Sequence, residues 1–213
     1  MTRTELANKV KIILDEFSPG GVGLPFDEYI GPALDESARE IVLEGPLYLL
    51  TPSVIPLMST GTPPESLVRY EDDKAYIPEP GDFARLYELK YPPWKKSVRE
   101  TISRDNQQYK LQENQYLRSG YARPFVARIT RSFEGTAPGR YLECGRVENP
   151  GSGTLVPPVA LYVKNTRPED LALEFTDALC YRAAGKVLIS LGDLNKAKVA
   201  LEQSTAHLAK LIN

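Results

Sequence analysis

The chain has 213 residues and a formal net charge of −2, with 42% hydrophobic, 25% charged and 9% aromatic side chains, proportions that exclude a disordered or fibrous protein. That length allows one large domain or two small ones, able to bury most of their apolar surface without a disulfide or metal staple. No uncharged apolar run approaches the roughly 18 residues of a membrane span, and MTRTELANKVKIILDEF lacks the continuous apolar segment of a secretion signal, so the expectation is a protein made and used in water.

The first predicted element is a helix. Thr2 and Glu5 form a capping box, Leu6, Val10, Ile13, Leu14 and Phe17 make an apolar stripe, and Ser18-Pro19-Gly20-Gly21 ends it. A second helix is predicted from Pro32, with Leu34, Ala38, Ile41 and Val42 inward, Asp35, Glu36, Arg39, Glu40 and Glu44 outward, and Gly45-Pro46 as its end. The Pro-rich stretch 51–66 is expected to be poorly ordered in the lone subunit and ordered by neighbours.

From Leu67 the period changes. LVRY and AYIP flank the charged quartet Glu71, Asp72, Asp73 and Lys74 as a short hairpin, and Tyr87, Leu89 and Tyr91 alternate as in a half-buried strand. Tyr91-Pro92-Pro93-Trp94 breaks that strand, and SVRETIS is a candidate partner for it. RDNQQYKLQENQYL predicts a helical turn or two at the surface. PFVARIT and RYLECGRV predict a second hairpin, and TLVPPVALYVKN one more strand that Pro157 and Pro158 confine in part to an edge or a bulge.

The last third predicts two antiparallel helices. Thr166 and Glu169 form a capping box with Pro168 in the first turn, followed by an apolar face from Leu171 to Leu191 that would make a helix roughly 35 Å long. Gly192 supplies a left-handed C-cap and Asp193 caps the next helix, with Leu194, Ala197, Leu201, Leu208 and Ile212 near a 3.5-residue repeat. The predicted class is therefore α+β: a four-helix bundle from the terminal helix pairs (residues 1–66 and 164–213) with an inserted β-rich, Pro-interrupted region, 67–163.

Few residues offer chemistry. His207 is the sole histidine and sits on a helix that suggests packing or solvent, and neither Cys144 nor Cys180 has a nucleophile motif, so no catalytic residue is assigned. The two cysteines lack metal-ligand spacing and disulfide density, which points to a reducing compartment. Glu71, Asp72 and Asp73 could attract a hard cation, but the alternation of a calcium loop is missing and a solvated turn is the better reading; no metal and no cofactor is expected.

Charge is distributed unevenly. Residues 1–84 hold 6 basic and 15 acidic side chains, residues 85–146 hold 13 and 6, and residues 147–213 hold 7 of each. The basic middle interleaves arginine and lysine with Tyr87, Tyr91, Trp94, Tyr109, Tyr116 and Tyr121, a composition that nucleic-acid proteins and protein–protein hot spots both use. A sequence pI near 5.6 favours the protein interface, and Arg85, Trp94, Lys95, Lys96, Arg123, Arg128, Arg131 and Arg140 are the candidate inter-subunit or partner residues. An acidic N-terminal region beside a basic middle supplies the two unlike surfaces that a heterologous, ring-forming contact needs.

Three segments carry a family resemblance: ALDESAREIVLEGPLYLL, YIPEPGDFARLYELKYPPWKKSVRETISRDNQQYKLQENQ and RPEDLALEFTDALCYRAAGKVLISLGDLNKAKVALEQ. Together they resemble the head–tail adaptor (connector, or neck ring) proteins of short-tailed phages, and the middle one is similar to versions from phages of Bacteroides-type hosts, including the crAss-like group. Pro80, Asp82, Phe83, Arg85 and Leu86 match the family's entry into its β region, and Ala178, Tyr181, Ala183 and Ala184 match its alanine-rich C-terminal helix pair. The resemblance implies a non-enzymatic virion protein, made in the host cytoplasm and located at the head–tail junction. There it would form a homo-oligomeric, twelvefold ring against the portal or other neck and tail rings, with packaged DNA in the lumen, no sequence-specific DNA contacts and no membrane. The alternatives are a cellular nucleic-acid-binding module using the basic aromatic middle and a small-molecule enzyme with a tyrosine-lined pocket.

Overall fold

A computed structural model describes residues 1–17, 26–60, 66–113, 124–134, 137–147 and 158–212. The fold is α+β, and the chain divides into two compact units, Met1–Thr51 with Asn165–Asn213, and Pro52–Lys164. The first boundary falls at 51/52 rather than at 66/67, because Pro52–Val54 pairs with a strand of the second unit.

The first unit contains α1 (Arg3–Phe17), α2 (Phe26–Glu44), α4 (Thr176–Ser190) and α5 (Leu194–Ile212). The capping box of α1 is formed: the Thr2 amide donates to Glu5 Oε2 at 2.8 Å and the Glu5 amide to Thr2 Oγ1 at 3.3 Å. Helix α2 starts at Phe26, six residues before the sequence expectation, and carries Pro32 in its interior. The missing amide of Pro32 costs one intrahelical bond, which burial of Ile30, Ala33 and Leu34 on both sides of it offsets.

Helix α4 is buried on most of its circumference, and α1, α2 and α5 each pack on it. It is shorter than its sequence suggests. No long helix starts at Thr166 and Glu169; Pro168–Asp170 and Leu173–Phe175 are separate 3₁₀ turns divided by extended Leu171 and Ala172, and α4 begins at Thr176. This path lowers Phe175 into full burial, its ring so near Gly45 that a β-carbon there would lie 2.8 Å from it. The stripe that α5 buries is Ala197, Ala200, Ser204 and Leu208, not one containing Leu194 and Ile212, which are exposed. Ser204 sets that rotation, since its hydroxyl donates to the Ala178 carbonyl at 2.7 Å and accepts from Arg182 Nε at 3.3 Å. Gly192 takes a φ of +83° just past the Leu191 C-cap of α4, and the Lys196 amide donates to Asp193 Oδ1 at 3.3 Å.

The second unit holds two antiparallel sheets: β1 (Pro52–Val54), β7 (Val159–Lys164) and β4 (Phe83–Lys90) in the order β1-β7-β4, and β2 (Arg69–Glu71), β3 (Lys74–Pro78), β6 (Gly139–Gly145) and β5 (Val126–Arg131) in the order β2-β3-β6-β5. Both predicted hairpins are present, the first turning through Asp72 at a φ of 52°. Strand β7 is central to its sheet rather than an edge; Pro158 precedes its first residue, where a missing amide breaks no ladder. Among the described residues SVRETIS contributes two isolated bridges, Val98 to Leu89 and Ile102 to Ala127. Within 51–66, β1 lies on β7, Ile55 is buried and Met58 bridges Ser66, all contacts made within the chain, while 61–65 lie outside the described residues. One core joins the sheets, with Leu86, Leu89, Ala160 and Tyr162 from one and Ala75, Ile77, Val126 and Leu142 from the other. Helix α3 (Gln107–Glu113) is the predicted short helix, and it buries Tyr109.

Candidate partner interface

Strand alternation decides which side chains of the four-stranded sheet face away from that core. Tyr76 pairs with Glu143, Glu71 with Lys74, Arg69 with Tyr76 and Ala127 with Glu143, so Arg69, Glu71, Lys74, Tyr76, Ala127, Ile129, Arg131, Tyr141 and Glu143 share the outer face. Phe133 folds back over it, edge-on to Tyr76 at 5.2 Å and to Tyr141 at 5.0 Å. The Arg69 and Arg131 guanidinium carbons each lie 4.8 Å from the Phe133 ring centroid, and Arg131 also lies 4.7 Å from that of Tyr76 and donates to Glu71 at 2.6 Å.

Beside this cluster sits a buried carboxylate. Glu143 Oε1 accepts from the Tyr109 hydroxyl and from Lys74 Nζ, both at 2.8 Å, and Arg104 Nη2 approaches Oε2 at 3.5 Å. Burial works against the charged form of Lys74, but the hydrogen bond and the charge of Glu143 outweigh it and hold the ammonium above its ordinary titration range. On the opposite face, Glu79 is likewise buried and shared: Arg128 holds it through two bonds of 2.8 and 2.7 Å, while Arg140 lies 3.5 Å away.

The structure therefore separates the sequence candidates. Arg128 and Arg140 converge on Glu79, and Arg131 lies on the outer face. Arg85 is half-buried on β4, its guanidinium pushed below its ordinary value by desolvation. Trp94 is a core residue rather than a surface one: it is buried, donates from Nε1 to the Arg146 carbonyl at 2.8 Å and packs on Tyr91. Lys95 and Lys96 are exposed, and Arg123 lies outside the described residues. In the charged quartet 71–74, Glu71 pairs with Arg131, Asp73 with Arg146 and Lys74 with Glu143. Sequence reasoning missed Glu143 because it looks like the polar member of an alternating strand, and Glu79 because it stands between Pro78 and Pro80, just past the end of β3. Tyr109 of α3 reaches Glu143 from elsewhere in the chain, and Phe133 covers the neighbouring Tyr76 and Tyr141.

The helical unit carries the opposite balance. On α2, Glu36, Glu40 and Glu44 follow one another at four-residue spacing. Lys186 of α4 lies 3.0 Å from Glu36 and 2.7 Å from Glu40, and buried Arg182 lies 3.5 Å from Glu40 and 2.7 Å from Glu44. Arg3 donates to both oxygens of Asp35 at 2.8 Å, which holds that carboxyl below its usual range. His207 stacks on Tyr181 at 5.4 Å and places Nδ1 3.9 Å from Asp177. Among the described residues no group of three His, Cys, Asp or Glu side chains could hold a metal ion, and no helix is long and apolar enough to cross a membrane. Comparison with protein-family models and with curated proteins finds no match to this chain.

Proposed function

We propose that this chain is a non-enzymatic structural protein of a phage virion that assembles into a ring at the head–tail junction, with the four long helices acting as one bundle and packaged DNA passing through the lumen. The observation that carries this reading is the division of charge between the units. The helical unit has 10 basic and 15 acidic side chains, net −5, and the sheet unit 16 and 13, net +3. A subunit that presents two unlike, oppositely charged surfaces is suited to the heterologous contacts from which rings close. The resemblance of residues 33–50, 76–115 and 167–203 to head–tail adaptors supplies the location, the twelvefold order and the portal or a neighbouring neck ring as partner.

The state of the reactive side chains supports a structural role. Burial pushes Cys180 up to about 11 and Cys144 higher still, so neither thiol is a nucleophile at neutral pH, and His207 is occupied by Tyr181 and Asp177. The nucleic-acid alternative is weakened because Arg128, Arg131 and Arg140 already face carboxylates of their own subunit. Averaged cryo-electron images of purified particles of the encoding phage test the proposal. Rotationally symmetric density at the head–tail junction that accepts this fold is the expected result, and absence of the protein from virions overturns it.

A further inference from the structure

Among the described residues, the ion pairs and ring contacts of the outer face of the four-stranded sheet bring Arg69, Lys74, Arg104 and Arg131 together with Glu71 and Glu143. The surplus is fixed in space. Arg69 is exposed and stacked on Phe133, and Arg104 stands at the rim of the Glu143 cluster with 53% of its side chain in water. On the α2 ridge the excess is acidic, with Glu36, Glu40 and Glu44 sharing Lys186 and Arg182. Glu36 and Glu44 keep 63% and 55% of their side chains in water while braced from beneath by the two cations. Four-residue spacing puts successive glutamates about 6 Å apart along the helix. Leu43, 54% exposed, stands among them as an apolar contact.

We infer that the Arg69–Phe133–Arg104 face of one subunit docks on the Glu36–Glu40–Glu44 ridge of α2 in a second copy of this chain. The inference deepens the ring reading by naming the two surfaces, and it rests on that reading for the number of copies. Each side offers charge already held in position by its own subunit, so association immobilises few side chains and brings a net-positive cluster against a net-negative one. Duplex DNA is the weaker occupant, because half-exposed Glu71 lies within the arginine cluster and would face phosphate.

Sedimentation velocity of the full chain at millimolar concentration and low salt is the test. Self-association that weakens with added salt is expected, together with a loss of about tenfold in affinity for Arg69→Glu or for Glu36→Lys and recovery in the chain carrying both changes. A second measurement covers a variant that fails to fold. In a mixture of isotopically light and heavy Arg69→Lys chains, a carbodiimide should join the new amine to Glu36, Glu40 or Glu44 of the other isotope. No self-association of the parent chain, single reversals without effect, a double variant without recovery, or cross-links made only within one chain would each overturn the contact. So would salt-dependent binding to duplex DNA that Arg69→Glu abolishes while self-association persists. Protein found at the neck with the contact disproved leaves the ring reading intact, and the contact proved in a protein absent from virions leaves only the interface.

Discussion

The residues with most at stake are charges that the fold takes out of water. Glu143 is fully buried and serves Tyr109 and Lys74 at once. Truncating it removes a charge that Lys74 and Arg104 need, and an uncompensated cation in low dielectric costs more than the pair contributes. Glu143→Ala should lower stability in denaturant unfolding by about 3 kcal/mol, the low end for a broken buried pair because Lys74 retains some water. Glu143→Gln keeps an acceptor for the Tyr109 hydroxyl and should fall between. A loss as small as that of an exposed pair would mean that the carboxylate is not desolvated in solution. Gly145 tests packing at the same strand end. A β-carbon there would overlap the Phe125 ring, well inside any permitted approach. Gly145→Ala therefore has to displace Phe125, which stacks edge-on with Tyr109 at 5.4 Å, and should cost roughly 1–3 kcal/mol in the same assay as overpacking.

At the scale of elements, what the sequence disclosed was what depends on neighbours along the chain. The Thr2–Glu5 box, the Gly192-Asp193 break between α4 and α5, and the turn through Asp72 are each fixed within a few residues, and each is present. The failures are long-range. Thr166 and Glu169 match a capping box, yet Glu169 lies 3.8 Å from Arg3, more than a hundred residues away, and the chain spends two 3₁₀ turns bringing Phe175 into the core instead. The buried stripe of α5 is turned away from Leu194 and Ile212 because Ser204 finds Ala178 and Arg182 on α4, which no periodicity encodes. The candidate interface was legible only as composition: arginine and tyrosine in one stretch, without the register that puts Arg69 and Arg131 on one face and Arg128 on the other. The ties of α1 have a measurable consequence. Arg3 holds Asp35 of α2, and Lys9 holds Asp177 of α4 at 2.5 Å, and in each case hydrogen bonding to the cation is the main reason the carboxyl titrates below its ordinary 3.8. A depressed folded value means that the stabilisation is fully present above the unfolded value and is lost as pH falls through the folded one. Thermal melts should therefore be flat from neutrality down to about pH 4 in this respect and fall below it. Asp35→Asn with Asp177→Asn should flatten that acid limb; an unchanged limb would assign it to other carboxylates. Both pairs are well exposed, so the effect is small and shrinks in high salt.

At the scale of the whole molecule, the chain crosses between its units at 51/52 and again at 164/165, so the helical unit is assembled from both ends of the sequence. Each unit has its own apolar centre: Leu14, Leu34, Ile41, Phe175 and Leu179 in one, Ile77, Leu86, Leu89 and Leu142 in the other. Regions with separate cores open with separate free energies, because unfolding one of them disrupts mostly its own packing. A cavity made in one should then loosen that unit selectively. Leu142 is fully buried between the sheets, and Leu142→Ala is expected to remove about 2–5 kcal/mol from the sheet unit. In native-state hydrogen exchange, amides of β3, β5 and β6 should lose protection by the corresponding factor while those of α4 keep theirs. Leu179→Ala should do the reverse, exposing α4 and its partners and sparing the strands. If either variant instead lowers protection in both units equally, the molecule opens as one cooperative body.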